Sequence, residues 1–262
     1  MSAWKAAMWL RHWNPTSILD KAAGVGGGPG QALSGFVEVE TVDELRLLEG
    51  DADGMWRESL LLRERIFGAA EHDHTMADIK EKRRIFFMER NIRSYVKLIL
   101  HALDFFQFNL DPLHPFTLDQ FDELTNAFMF AEAGIYDIIV RSSWICYVFD
   151  RADVELNRAL TRVRYGRAAT DEEKKDTDDL LVNLLNLMAL LCRRSADLSD
   201  VETCHFKDDV SHVAPMNVRG CEGETLLHIA CSPATALLYL CARFSPLPTW
   251  PSSRCSSSPA RT

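Results

Sequence analysis

The sequence lacks an apolar run of membrane-spanning length and a surplus of positive charge. Its leucine-rich stretch, residues 180–192, contains Asn183 and Asn186, whereas a bilayer-spanning helix needs about 20 predominantly apolar residues. The formal net charge is −9, which argues against a nucleic-acid groove, because such grooves have a clustered basic surface. We therefore expect no membrane partner and no nucleic-acid partner.

The sequence also lacks a Cys-x-x-Cys pair and an even set of cysteines. Its seven cysteines are widely spaced, which fits reduced, buried thiols better than a disulfide framework. Near the N-terminus Lys5 and Arg11 are present, but no apolar segment with a cleavage site follows them, so secretion is not indicated. We expect a cytoplasmic location, with the nucleus as the other compartment that keeps thiols reduced.

What the sequence does contain is a strong helical pattern in residues 86–117. Apolar side chains recur there at three- and four-residue steps: Ile92, Tyr95, Val96, Ile99, Leu103 and Phe106. A second apolar edge, formed by Leu98, Phe105 and Phe108, predicts that this helix packs between neighbours. The Asp111-Pro112 and His114-Pro115 pairs are predicted to end it, because proline lacks a donor and restricts the preceding residue.

Helical patterns of this kind extend from residue 41 to residue 192. Thr41, with Glu44 three residues later, has the form of a capping box. We predict further helices at residues 51 or 53–67, 76–87, 117–133, 134–149, 153–163 and 178–192. The side chains predicted to face inward are Met55, Trp56, Leu60 or Ser59, Leu62, Ile66, Ile79 and Phe86, with Ile85 as a further candidate. The apolar content of the later helices comes from Phe121, Phe128, Phe130, Ile135, Ile138, Ile139 and Trp144, and Asn183 and Asn186 are predicted at a solvated edge.

Together, residues 76–88 and 91–110 are predicted to form an antiparallel helical hairpin, the unit that stacks into solenoids. The sequence therefore predicts an all-α fold: a tetratricopeptide-like array of hairpins running into the start of an ankyrin repeat. The residues predicted to form the core of the helical repeat are Tyr95, Ile99, Ala102, Leu103 and Phe106.

Three groups of residues have the composition of chemical sites, but their spacing argues against each. His72 and His74 do not have the i, i+4 spacing that places two ligands on one helix face, so a polar turn with Thr75 or Asp73 as a cap is favoured. Cys204-His205 has no recognisable oxyanion donor or third partner. The glycines of residues 24–30 lack the strand, helix and Gly-Lys-Ser/Thr ending of a phosphate loop, which favours a linker.

A basic segment follows the predicted helix at 153–163. It carries Arg158, Arg162, Arg164 and Arg167, close to the acidic residues Asp171, Glu172, Glu173 and Asp176. This arrangement favours a solvated, salt-bridged face over a phosphate or RNA site. We expect no catalytic residue, no cofactor and no metal in this chain.

Residues 217–230 closely resemble the opening of an ankyrin repeat, whose pattern is Gly-x-Thr-Pro-Leu-His-x-Ala. Gly223 allows a tight turn, and the Thr225 hydroxyl can cap the first helix while it bonds to the His228 imidazole. Leu227 and Ala230 are predicted to pack inward. Leu226 stands where the pattern has proline.

A helical array that leads into an ankyrin opening resembles the Fem (feminisation protein) homologue family. Three further stretches carry the resemblance: residues 2–11, residues 41–45 with 61–68, and residues 101–104 with 109–117. Two departures stand out. Arg90-Asn91 replaces the usual glycine turn, and Tyr95 replaces a small residue, so we expect looser or differently spaced packing there.

The resemblance implies a substrate receptor of cullin-RING ubiquitin ligases that is itself non-catalytic. In the full-length parent the partners would be the elongin–cullin ligase arm and degron-bearing substrates, which bind outside this region. The implied organisation is a residual helix (1–13), a flexible linker (14–40), a tetratricopeptide-like domain (41–211), an incomplete ankyrin repeat (212–244) and a disordered tail (245–262). The alternatives are a helical-repeat scaffold unrelated to ubiquitin, or an enzyme built on His72/His74 or Cys204/His205.

Overall fold

A computed structural model describes residue 39 and residues 41–67, 72–164, 170–216, 223–225 and 228–229. These residues fold into eight α-helices and two short 3₁₀ helices, which confirms the predicted all-α fold. The helix predicted for residues 1–13, the glycine-rich linker and the tail at 245–262 lie outside the described residues. The type of helical repeat stays a prediction.

The helices are numbered in chain order: α1 Val42–Leu47, α2 Ala52–Phe67, α3 His72–Met88, α4 Ile92–Asn109, α5 Pro115–Glu132, α6 Ser142–Arg164, α7 Asp171–Arg193 and α8 Asp200–Val213. The 3₁₀ helices are Ser195–Asp197 and Ala214–Met216.

The even-numbered helices α2, α4, α6 and α8 form one layer in which they run parallel. The contacts between α4 and α6 show the parallel direction, because residues later in α4 pair with residues later in α6. Asp104 pairs with Arg151, and Gln107, about one turn further along α4, pairs with Glu155. The same order holds for Phe149–Phe206 and Asp153–His212 between α6 and α8. The N-terminal ends of these helices therefore lie along one edge of the array.

The odd-numbered helices α3, α5 and α7 form the second layer. Arg83 of α3 bonds to Gln120 of α5 at 3.2 Å, and Arg194, the C-cap of α7, pairs with Glu132 at the end of α5. From α2 to α7, each helix also packs on its chain neighbour, and the most extensive of these contacts join α6 to α7 and α4 to α5. The two layers enclose a single apolar core that runs through the array.

The turn between α3 and α4 completes the predicted hairpin. Arg90 has φ +56, and the amides of Arg90 and Asn91 bond to the carbonyls of Phe87 and Phe86 at 3.1 and 2.8 Å. This is a Schellman motif, which usually places glycine at the left-handed position. Asn91 then caps α4, because its side chain accepts a hydrogen bond from the Ser94 amide. The turn forms without the expected glycine.

Several predicted boundaries are wrong. The residues predicted as a polar turn, His72 to Thr75, form the first turn of α3. The helices predicted at 134–149 and 153–163 are one helix, α6, and it begins only at Ser142. Helix α7 begins at Asp171, seven residues before the predicted start, because Thr170 and Glu173 form a capping box there. The predicted capping box at Thr41 is confirmed.

Burial corrects the prediction for five side chains. Phe108 and Ile66 were expected to face inward, and Ile139 to add to the apolar content of its predicted helix, but they are 70%, 54% and 90% exposed. Asn183 and Asn186 were expected at a solvated edge but are 7% and 4% exposed. The Asn183 side chain bonds to the Asp122 carboxylate of α5, so this asparagine holds two helices of one layer together.

Candidate functional site

The five residues predicted as the core of the helical repeat lie on the inner side of α4. Ile99, Ala102, Leu103 and Phe106 have no exposed surface, and Tyr95 is 8% exposed. They belong to the continuous core between α3, α4 and α5. Four of these side chains are apolar. The Tyr95 phenol is the one group among the five that could act as an acid, a base or a nucleophile. Their assignment to a tetratricopeptide-like repeat stays a proposal.

Tyr95 joins α4 to α5 through its hydroxyl, which donates a hydrogen bond to the Glu123 carboxylate. Arg83 of α3 is 8% exposed and approaches the same carboxylate at 3.3 Å and Gln120 at 3.2 Å. Burial and the neighbouring Glu123 carboxylate raise the pKa of Tyr95, so the phenol stays protonated and remains a donor. A tyrosine in place of a small residue therefore ties three helices together.

Glu155 of α6 has no exposed surface and accepts hydrogen bonds from three directions. The donors are the Leu113 amide at 2.7 Å, the Gln107 Nε2 at 3.0 Å and the Arg158 Nη1 at 2.7 Å. Arg158 also donates to the Leu110 carbonyl at 2.6 Å. One carboxylate thus fixes α4, the turn after it and α6 relative to one another.

His101 faces Glu64 across the contact between α4 and α2. Its Nε2 lies 2.9 and 3.0 Å from the two carboxylate oxygens, and both residues are buried. Burial opposes a charge on the imidazole, but the Glu64 carboxylate outweighs this effect and the pKa of His101 is raised. The pair has the geometry of a buried structural ion pair within the even-numbered layer.

The segment between α5 and α6 is held by Arg194. Its guanidinium contacts Glu132 Oε2 at 2.8 and 2.6 Å and the Val140 carbonyl at 2.6 Å. Among the described residues, the buried charged groups Arg83, Glu64 and Glu155 therefore serve contacts between helices. Sequence reasoning missed Arg83, Glu155 and Arg194, although the i, i+3 spacing of Glu155 and Arg158 was a visible signal for one pair.

The residues with the composition of chemical sites are not brought together. Cys204 and His205 are adjacent and exposed on α8, where successive side chains point about 100° apart. His74 is exposed on the first turn of α3. Within the described ranges, no group of three or more His, Cys, Asp or Glu side chains is placed to hold a metal ion.

The basic segment after α6 is partly described. Arg158 pairs with the buried Glu155 rather than with solvent, and Arg162 lies 3.8 Å from Glu173. Lys174 and Asp171 form an exposed pair at 2.8 Å. The side chain of Arg164 and all of Arg167 lie outside the described residues.

The predicted ankyrin opening is described at five positions. Gly223 has φ +84, and Thr225 Oγ1 lies 2.8 Å from His228 Nδ1. The Ile229 amide bonds to the Thr225 carbonyl at 3.0 Å, as in the first turn of a helix. Leu227 and Ala230 lie outside the described residues, so the ankyrin assignment stays a prediction.

One open cavity of about 700 Å³ lies beside the Glu155 contacts. Its lining combines the turn after α4 with the outer side of α6: Asp111, Pro112, Val154, Asn157, Arg158, Thr161 and Arg162. The cavity has a mixed polar and apolar wall. No helix in the described part of the chain is both long enough and apolar enough to cross a membrane.

The chain is similar in sequence to curated proteins of one kind. It is 28% identical to protein fem-1 homolog C of Danio rerio over 231 residues, which cover 87% of this chain and 36% of the relative. It is 26% identical to protein fem-1 homolog C of Homo sapiens over 88% of the chain. It is 28% identical to protein fem-1 homolog A of Homo sapiens, also over 88% of the chain.

The chain spans about a third of the length of these relatives, with coverage of 36%, 37% and 34%. No protein-family model matches it.

Proposed function

Because the chain belongs to the Fem-1 homolog family, we propose that it is the non-catalytic scaffold portion of a substrate-recognition subunit of a cullin-RING ubiquitin ligase. The observation that carries the proposal is similarity to Fem-1 homologs over nearly nine-tenths of the chain. The packed helical array is consistent with this role, since stacked hairpins hold distant binding regions at a fixed spacing.

The buried polar contacts support a scaffold in a specific way. Glu155, Glu64 with His101, and Arg83 with Glu123 each link helices that are not neighbours in the chain. Buried ion pairs of this kind add little net stability, but removal of one member is costly. The buried ion pairs therefore favour one relative placement of the helices. A scaffold that connects a substrate-binding region to a ligase-binding region needs such a fixed placement.

We propose that residues 41–211 form a tetratricopeptide-like domain and residues 212–244 an incomplete ankyrin repeat. Residues 1–13, 14–40 and 245–262 are proposed as a helix, a linker and a tail. The proposed partners of the full-length protein are the elongin–cullin arm and degron-bearing substrates. The proposed location is the cytosol or the nucleus.

The test is affinity purification of the longest protein product that contains this chain, tagged and expressed in cells. We expect elongin and cullin to be recovered with it, as they are with a tagged fem-1 homolog C used as positive control. Phe106→Ala, which removes a fully buried ring, is expected to abolish recovery by unfolding the array. Phe108→Ala, at an exposed position of the same helix, is the matched control. Recovery of the positive control alone would refute the proposal.

A second candidate is a helical-repeat scaffold that binds a peptide and has no connection with ubiquitin. The cavity between the turn after α4 and the outer side of α6 favours it. Val154→Glu on the cavity wall is expected to abolish binding of such a partner. If the same purification recovers a protein that depends on Val154 and recovers no ligase component, this second candidate replaces the first.

A further inference from the structure

Four cationic side chains lie at the edge where the even-numbered helices begin. Arg57 lies near the start of α2, Arg93 and Lys97 lie on the first turns of α4, and Arg141 immediately precedes α6. Because these helices run parallel, their first turns are neighbours across the layer. The charges of Arg93, Arg57 and Arg141 all act on Lys97. Three separate elements therefore contribute to one basic cluster.

The pairing of these cations differs from that of most other arginines in the described part of the chain. Arg63, Arg83, Arg84, Arg151, Arg158 and Arg194 all have a carboxylate partner. Within the described residues, no ion pair involves Arg93, Lys97 or Arg141, and Arg57 has Asp51 at 3.8 Å. A chain of net charge −9 has carboxylates to spare, so the lack of an ion pair at Arg93, Lys97 and Arg141 within the described residues is informative.

The cluster carries an energetic cost. Burial and the neighbouring charges of Arg93, Arg57 and Arg141 lower the pKa of Lys97. Like charges held close together destabilise the folded chain, and a surface lined by one sign of charge attracts ligands of the opposite sign. An apolar side chain lies close by in sequence: Ile139, two residues before Arg141, is 90% exposed.

We propose that Arg57, Arg93, Lys97 and Arg141, with Ile139 beside them, form a docking surface for an acidic segment of a protein partner that carries an apolar residue. Charge complementarity identifies the partner, since an acidic segment would supply the missing counterions. A nucleic acid fits less well, because the overall charge of −9 repels a polyanion beyond the cluster. The surface is independent of the proposed role in ubiquitin ligation.

The test is fluorescence anisotropy with the full 262-residue chain and a fluorescein-labelled peptide rich in glutamate and leucine. A peptide with glutamine in place of every glutamate is the matched probe control. We expect the acidic peptide to bind, the neutral peptide to bind at least tenfold more weakly, and binding to weaken as salt is raised. Absence of binding by the acidic peptide overturns the proposal.

The protein variants locate the surface. The double variant Arg93→Gln, Lys97→Gln is expected to weaken peptide binding about tenfold, because two charge pairs between the protein and glutamates of the peptide are lost. Lys175→Gln with Lys207→Gln, two exposed cations away from the cluster, is expected to leave the affinity unchanged. Circular dichroism of each variant establishes that it is folded. Equal affinity in the cluster variant, or tighter binding of an unstructured RNA than of the acidic peptide, overturns the proposal.

Discussion

Glu155 accepts a hydrogen bond from the backbone amide of Leu113 at 2.7 Å, although the two residues lie 42 positions apart. Leu113 has φ +58, a left-handed conformation that costs a branched residue about 1 kcal/mol or more. The buried carboxylate therefore holds a turn that its own sequence does not favour. Hydrogen bonds between a buried side chain and a distant backbone amide, rather than local backbone propensity, therefore determine the conformation of the turn that connects α4 to α5.

Replacement of Glu155 by alanine is expected to destabilise the chain by about 3–5 kcal/mol. The change leaves the Leu113 amide, the Gln107 amide group and the Arg158 guanidinium without their buried acceptor. Urea titration followed by circular dichroism measures the free energy of unfolding. The matched control is Glu172→Ala, an exposed position on α7, where a change within about 0.5 kcal/mol is expected. Similar effects at both sites would contradict the role of Glu155.

Tyr95→Phe is expected to lower the free energy of unfolding by about 1–3 kcal/mol, since it removes the hydrogen bond to the charged Glu123 and keeps the ring. Tyr136→Phe is the matched control. The Tyr136 ring packs on Phe87 and Phe130, but within the described residues its hydroxyl makes no hydrogen bond. If Tyr136→Phe lowers the free energy of unfolding as much as Tyr95→Phe does, the hydrogen bond to Glu123 is not the source of the stabilisation.

The sequence predicted the helices better than it predicted their partners. The pattern from Ile92 to Phe106 gave α4 correctly, because the spacing of apolar residues depends only on the helical repeat. It placed Phe108 on the inner side, yet that ring is 70% exposed. Periodicity shows which residues share a face, but which face is covered depends on neighbours that are distant in sequence.

Stability is expected to fall as the pH rises from about 4, the ordinary pKa of an aspartate, to about 6, because of Asp209 of α8. Burial, followed by the charges of Asp150 and Asp153 on α6, raises the pKa of Asp209 to about 6. A carboxyl whose folded pKa is raised adds stability below its unfolded pKa and loses it as the pH rises through the folded pKa. The other charged groups acting on Asp209 are His205 and Asp208, both on α8 itself.

The measurement is amide hydrogen exchange of α8 at one pH below about 4, the ordinary pKa of an aspartate, and at one pH above 6, corrected for intrinsic exchange rates. Asp209→Asn is expected to protect α8 at the higher pH and to change little at the lower pH, where Asp209 is already protonated. Lys207→Gln, at an exposed neighbouring position, is the control for a change of charge on α8. A wild-type helix whose protection does not vary with pH would contradict this prediction.

Lys97→Met is expected to leave the free energy of unfolding unchanged or to raise it by up to about 1 kcal/mol. Methionine keeps the apolar stem of the side chain, while the repulsion from Arg93, Arg57 and Arg141 is removed. Thermal unfolding at low and high salt measures the effect, which should shrink as salt is raised. A loss of more than about 1 kcal/mol would show that Lys97 serves the fold rather than a binding surface.

The partners of the buried charged residues could not be predicted from the sequence either, because those partners are distant in the chain. Arg83 and Glu123 are 40 residues apart, and no local pattern pairs them. Arg194 reaches the Val140 carbonyl, in a segment that was itself predicted to be helical. The Thr225 and His228 contact was visible in advance because both residues belong to one short motif. Contacts within one short motif can be predicted from the sequence, whereas contacts between residues distant in the chain depend on the fold.

The most direct test of the account is a chimera in which this chain replaces the matching third of Danio rerio fem-1 homolog C. The ratio of cullin recovered to chimera recovered is measured by quantitative mass spectrometry after affinity purification. We expect a ratio close to that of the unaltered relative, because the two segments are proposed to be equivalent scaffolds. A chimera that unfolds cooperatively but recovers no cullin would contradict it.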